Sequence, residues 1–208
     1  MTREELSRNY WRYYRMLEDK FLATTNYVEV ALTNFSSFSN EYALLIQSIG
    51  AELDNFFKVY CRYNPTDRKN IADYANFILA EYTSITTQKI KVLGTDIELI
   101  PFQRWNVAAP AQSLFWWSAF DKLKHNRHGN FSDANQKNVL NMLAALYLLE
   151  MKQFGKVAKE SNGHLFEPDS PDEGSKLFSL PEWSFRYIRV GESFAVVDGA
   201  FCQIVDDE

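Results

Sequence analysis

Residues 110–154 read PAQSLFWWSAFDKLKHNRHGNFSDANQKNVLNMLAALYLLEMKQF, and this stretch decides the fold class. Proline suits the first position of a helix, where its fixed φ helps and its missing N–H has no partner to lose. Trp116, Phe120 and Leu123 follow at i, i+4 and i+7, so the spacing predicts a helix from Pro110 to about Arg127 with one apolar seam. Gly129 ends it, and Ser132 is placed to cap the next helix with Asp133 in the first turn. Val139, Leu140, Leu143, Leu146, Tyr147 and Leu149 then carry a strongly apolar helix to about Phe154.

Upstream the same period recurs. Thr2 and Glu5 form a capping-box pattern, and Leu6, Tyr10, Tyr13, Tyr14, Leu17 and Phe21 predict a helix to about Ala23. Residues 24–39 are rich in Ser, Thr and Asn, with a short β-like or irregular stretch expected at 27–32. Ser39 caps a second helix that Asn64-Pro65 stops, and Thr66 or Asp67 caps a third through Tyr82. Alternation around Gly94-Thr95 predicts a β-hairpin inserted at about 87–100, followed by an extended connector over 101–109.

Downstream, 156–182 reads as a polar loop in which EPDSPDEGS is expected to be mobile. The segments SFRYIRV, ESFAVV and AFCQIV around Gly191 and Gly199 predict a small antiparallel β tail over 183–208. The expected organisation is a mainly α domain over 1–155, the loop, and the tail. Eight Gly and six Pro among 208 residues, about 7% against the roughly 12% of average usage, leave long stretches without a helix breaker. Cys61 and Cys202 form neither a disulfide framework nor a zinc spacing, so both are read as unpaired thiols of a reducing compartment. Neither an apolar signal-peptide core nor a run of about 18 apolar residues occurs, and the expectation is a cytoplasmic protein with no membrane association.

The net charge of −5 excludes a broadly basic nucleic-acid binder. The acidity is uneven. Residues 167–208 carry ten Asp and Glu against Lys176, Arg186 and Arg189, which leaves the helical part slightly positive. RNA contact is therefore expected at a local patch only.

That patch is the exit of the helix that starts at Pro110, where Asp121, Lys122, Lys124, His125, Asn126, Arg127 and His128 stand within eight positions. Cations in a last helical turn are favoured by the helix dipole and need no further role. The dipole does not ask for Asp121 four residues before His125, where a carboxylate can orient an imidazole. Phosphodiester cleavage wants an imidazole to move a proton and cations to stabilise charge on phosphorus. His125 with Arg127 supplies the catalytic types, with Lys122, Lys124, Asn126 and His128 as RNA-binding candidates. Asp121, Glu52 and Asp54 are supporting candidates, the last two either facing the cluster across helices to pair with its cations or standing as solvated surface charges.

Trp116-Trp117, Lys122, Lys124-His125-Asn126-Arg127, Phe131, Ala134-Asn135, Asn138-Val139-Leu140 and Ala144-Ala145-Leu146 resemble the C-terminal helical pair of a group of uncharacterised bacterial HEPN-like proteins. Tyr42, Ile49, Glu52, Asp54 and Lys58 resemble that group's central helix. The resemblance implies an antiparallel helical bundle, often homodimeric, in a superfamily whose active members are metal-independent ribonucleases of toxin, phage-defence and RNA-processing systems. In these an Arg, four to six residues, and a His meet across a dimer and promote attack by the RNA's own 2′-hydroxyl. Here Ser132, Asp133 and Ala134 stand where that His would follow Arg127. The alternative is a non-catalytic HEPN-like scaffold that recruits a protein partner through the hairpin or the tail. No cofactor or metal is expected, because phosphate-loop, dinucleotide, zinc-helix and nucleophile-elbow motifs are missing. Arg104 and Trp105, in the connector, can stack on a base, although a Trp in so aromatic a chain is more often core.

Overall fold

The computed structural model describes residues 1–160 and 170–181, and the backbone of 194–197 and 200–203. α1 (Arg3–Leu6) opens on the expected capping box: Glu5 N donates to Thr2 Oγ1 (3.1 Å) and Thr2 N donates to the Glu5 carboxylate (2.8 Å). It passes through a π-helical stretch, Ser7–Trp11, into α2 (Arg12–Thr24). Residues 27–31 take the irregular form of the two expected there, as turns and bends, ahead of a 3₁₀ turn at Leu32–Asn34. α3 (Asn40–Tyr60) begins on Ser39, as its spacing predicts.

α4 (Ile71–Glu81) is capped by Asn70, not by Thr66 or Asp67. Ala72 N donates to Asn70 Oδ1 (2.8 Å) and Asn70 N donates to the Asp73 carboxylate (3.0 Å), while Asn64 N donates to the Asp67 carboxylate in the preceding turn. β1 (Ile90–Val92) and β2 (Glu98–Leu99) form the inserted antiparallel hairpin, with Gly94 at φ +75° supplying the left-handed turn. The helix predicted from Pro110 is split by the extended Leu114 into α5 (Pro110–Ser113) and α6 (Phe115–Asn126). Ser132 lies in a 3₁₀ turn, Phe131–Asp133; Asn135 Oδ1 takes the cap of α7 (Gln136–Glu160) from Asn138 N at 3.0 Å.

α7 runs past Phe154 to Glu160. Beyond it, 170–181 packs against the helices and contributes β3 (Phe178–Ser179), which completes a three-stranded antiparallel sheet in the order β2-β1-β3. β4 (Phe194–Val197) and β5 (Ala200–Gln203) pair antiparallel with Val197 opposite Ala200, in agreement with the expected tail hairpin. The segment SFRYIRV lies outside the described residues, as do His164 and the side chain of Cys202. No helix among the described residues is long and apolar enough to cross a membrane.

Every residue from 138 to 151 is buried, so α7 forms the axis of the molecule. α3 lies alongside it and parallel: Phe38 bridges Asn135 at one end, Glu52 faces Glu150 midway, and Arg62 pairs with Glu160 at the other end. α2 runs antiparallel to both. Phe21 stacks on Tyr42 and Tyr10 meets Phe56 edge-on, while Trp11 and Tyr14 pack on Tyr147. α6 is antiparallel to α3, with Trp117 against Phe57 and Arg127 beside Asn40. Gly50 lets α6 approach closely, since a Cβ there would collide with the Phe120 ring.

One buried carboxylate ties 170–181 to this bundle. Glu18, fully buried on α2, accepts from Tyr14 Oη (2.8 Å), Lys176 N (3.1 Å), Leu177 N (3.1 Å) and Ser175 Oγ, with Arg15 Nε at 3.0 Å. These partners offset its desolvation. The stretch expected to be mobile is therefore anchored over 170–175, where Arg3 also holds Ser170 O and Asp172 and Trp11 Nε1 donates to Glu173 O.

Glu18→Ala leaves the Lys176 N–H without its acceptor and removes the carboxylate beside Arg15 Nε, while Leu177 N keeps Ser175 Oγ and Arg15 keeps Gly174 O, and it is expected to lower stability by about 3 kcal/mol in urea denaturation. It should also expose 170–181 to proteolysis before global unfolding. Gly50→Ala forces Phe120 off its packing and is expected to lower stability by about 1–3 kcal/mol.

Candidate functional site

Burial of Trp116, Phe120 and Leu123 against α3 and α7 fixes which side of α6 meets solvent. Asp121, Lys122, Lys124, His125 and Asn126 fall on that side, and Arg127 and His128 follow in the exposed exit turn. His125 Nε2 lies 3.4 Å from Asp121 Oδ1, with the His side chain 70% exposed. The pair expected from spacing is thus formed, in solvent, where such ion pairs contribute little stability. Lys122 Nζ stands 3.6 Å from Asp133 Oδ2. Asn126 shapes the turn: its side chain accepts from Gly129 N (3.1 Å) and its carbonyl accepts from Asn130 Nδ2 (2.8 Å).

Three side chains differ from their neighbours. Lys124 reaches over the Phe120 ring at 5.8 Å, Arg127 Nη1 donates to the neutral Asn40 Oδ1 at 3.4 Å, and His128 is exposed. None of the three has a carboxylate partner among the described residues. The cluster is an exposed surface formed by one turn, and no pocket among the described residues is lined by it.

Glu52 and Asp54 do not join it. α6 runs antiparallel to α3, so Arg127 meets α3 at Asn40, and Glu52 stands twelve residues further on, about 18 Å along the axis at 1.5 Å per residue. Asp54 instead accepts from Tyr74 Oη (3.1 Å) and lies 3.9 Å from Lys58 Nζ. Glu52 faces the bundle interior. Trp105 is core, donating its Nε1 to Pro110 O at 3.1 Å, whereas Arg104 is exposed.

The residue that sequence reasoning missed is Glu150. It sits fully buried in α7 with neither carboxylate oxygen hydrogen-bonded among the described residues. Burial, reinforced by the charge of Glu52, pushes its carboxyl well above the ordinary range. Burial also pushes Glu52 up to about 7, against the opposing hydrogen bond from Asn55. Tyr10, in the π-helical stretch, is raised by burial and then by these two carboxyls. A lone Glu in the apolar run LLEM was the available signal. Cys61 is buried and unpaired, with its thiol pushed up to about 12 by burial. Among the described residues no group of three or more His, Cys, Asp or Glu is placed to hold a metal.

Comparison of the chain with protein-family models, with curated proteins and with solved structures found no match. The functional reading therefore rests on the residues and their geometry.

A buried acid whose pKa is raised on folding binds its proton more tightly in the folded state, so stability is highest below the unfolded glutamate value of about 4.3 and falls as pH rises above it. Glu52 and Glu150 both act in this direction. Stability is expected to decline from pH 5 to pH 8, and Glu150→Leu to flatten that decline while raising stability at pH 8 by about 1–3 kcal/mol. Urea titrations at a series of pH values measure both effects.

Proposed function

We propose that the chain is an HEPN-like helical module that binds RNA through the exit of α6. The observation that carries this reading is the set Lys124, Arg127 and His128, exposed side by side without carboxylate partners among the described residues. An uncompensated guanidinium next to an ammonium is the chemistry that recognises phosphodiester oxygens. The mainly helical bundle and the slightly positive charge of the helical part support the same reading.

Cleavage needs more than one chain offers. His125 would accept the 2′-hydroxyl proton, the freed oxygen would attack phosphorus, and Arg127 with Lys122 or Lys124 would stabilise the phosphorane as the 5′-oxygen leaves. With the His125 ring mostly in solvent, a second copy must supply the facing wall, so the ribonuclease form of this proposal is a homodimer. Protein recruitment without catalysis is the second reading. One observation favours it: an apolar groove of about 420 Å³ beside the start of α3, bordered by Tyr27 (89% exposed) and Phe38 (53% exposed). The hairpin is a poor recruiter by comparison, because Ile90, Val92 and Leu99 point into the core.

Fluorescence anisotropy with single-stranded RNA tests the binding reading. The double variant Lys124→Glu, Arg127→Glu is expected to weaken binding roughly tenfold or more, with the fold retained and a melting temperature only a few degrees lower, since two carboxylates oppose the dipole at the end of α6. Arg127→Ala alone is expected to reduce the salt dependence by about 0.7 in the log–log slope. Equal affinities in wild type and double variant would contradict the reading. Loss of cleavage in His125→Ala with RNA affinity retained would support the ribonuclease form, and cleavage unaffected by both His125→Ala and Arg127→Ala would exclude it.

A further inference from the structure

A cavity of about 700 Å³ opens between the free side of β2, the connector after it, α5, and the starts of α6 and α7. Its size lies within the range of small-ligand sites, roughly 300–1,000 Å³. Two cations border it without an acidic partner among the described residues. Arg104 is exposed in the connector, and Lys137 projects from the first turn of α7 with its Nζ 4.8 Å from the centre of the Phe115 ring. The one carboxylate on the wall, Glu98, is engaged by Lys89 Nζ at 2.7 Å.

Arg104 is held there by its backbone. Its φ of +69° is a left-handed conformation that an arginine rarely adopts, and Asn106 secures it. Asn106 Nδ2 donates to Arg104 O (2.9 Å), while Asn106 Oδ1 accepts from Ala108 N (3.1 Å) and Ala109 N (3.0 Å). The loop is thus stapled in a form that presents the guanidinium at the cavity. The floor is polar and unspent. Asn141, only 4% exposed, uses its Nδ2 on Lys137 O (2.8 Å), and its amide oxygen has no hydrogen-bond partner among the described residues. Gln103 and Gln112 add two further side-chain amides, and the Phe35 and Phe115 rings supply flat apolar walls.

Cations bind a phosphate, side-chain amides pair with the edge of a base, and phenyl rings cover its face. We propose that this cavity binds a nucleoside 5′-monophosphate unit, with the phosphate on Arg104 and Lys137 and the base against Asn141, the glutamines and the phenyl rings. The unit has two sources, a free nucleotide or the 5′-phosphorylated end of an RNA. The site is separate from the exit of α6 and does not depend on RNA binding there.

Calorimetric titration of the full chain with AMP, GMP, CMP and UMP, with adenosine as control, tests the proposal. Arms with a short RNA carrying a 5′-phosphate or a 5′-hydroxyl separate the two sources. At least one monophosphate or the 5′-phosphorylated RNA is expected to bind more tightly than its unphosphorylated counterpart. Arg104→Gly and Lys137→Met are each expected to weaken that binding roughly tenfold or more. Glycine accepts the positive φ and methionine keeps the contact with Phe115, so both variants should melt no lower than wild type. The Lys124→Glu, Arg127→Glu variant should retain monophosphate binding, which separates this proposal from the function proposed for the α6 exit. The proposal is overturned if no phosphorylated probe binds, if phosphorylated and unphosphorylated probes bind equally, or if both cavity variants bind as wild type does.

Discussion

Fourteen consecutive residues of α7, from 138 to 151, are buried. A helix buried on every side must be surrounded, and each other element takes its position from that requirement. α3 covers one flank in parallel, α2 and α6 run back along it, and Tyr147 reaches Phe178 in the small sheet at a ring distance of 5.6 Å. The ends are fastened by polar groups. Gln136, buried at the start of α7, donates to Glu29 O (3.0 Å) and Val28 O (3.3 Å) and so holds the turn after α2. At the opposite side, Glu18 gathers the backbone of 175–177 and keeps β3 against β1. Glu150 is the exception in this axis, a buried acid with no hydrogen-bond partner among the described residues, its carboxyl held above the ordinary range by burial and then by Glu52.

The same burial creates the outward face of α6. Its apolar seam is committed to α3 and α7, which leaves its charged residues no interior to enter. Elsewhere on the surface many cations have matched carboxylates: Lys156 with Glu81 at 2.9 Å, Lys176 with Asp19 at 2.7 Å, and Lys69 with Asp73 at 3.9 Å. At the α6 exit Lys124 and Arg127, like Arg104 and Lys137 at the cavity, have no carboxylate partner among the described residues, while Asp121 lies beside His125. A helix end needs cations for its dipole, but it does not need them unpaired and exposed in one turn. That clustering is the physical basis of the proposal that the surface binds a polyanion.

Long helices were legible in the sequence because their signal is periodic and local. Trp116, Phe120 and Leu123 are buried as their spacing requires, and the start of α3 at Ser39 follows from its residue type. Caps were ambiguous wherever two candidates stood close together. Ser132 and Asn135 are both good N-caps, and the isolated bridge between Phe38 and Asn135 accompanies the choice of the second. β3 was not legible, since two residues carry no period and the strand exists only through Lys91 and Val92 far upstream. For the candidate site, the local pair Asp121 and His125 could be read from i, i+4 spacing. The failure of Glu52 and Asp54 to join them could not, because helix direction and register lie outside a one-dimensional pattern. Arg104 illustrates the same limit: a positive φ at a non-glycine residue leaves no mark in the sequence.

The central claim is that RNA meets this protein at the α6 exit. Hydrogen–deuterium exchange of the full chain with and without a single-stranded RNA tests it most directly, since it reports the contacted backbone without altering any residue. The account predicts slower exchange across 121–130, at the end of α6 and in its exit turn. Unchanged exchange across 121–130 under conditions where the RNA is bound would contradict it.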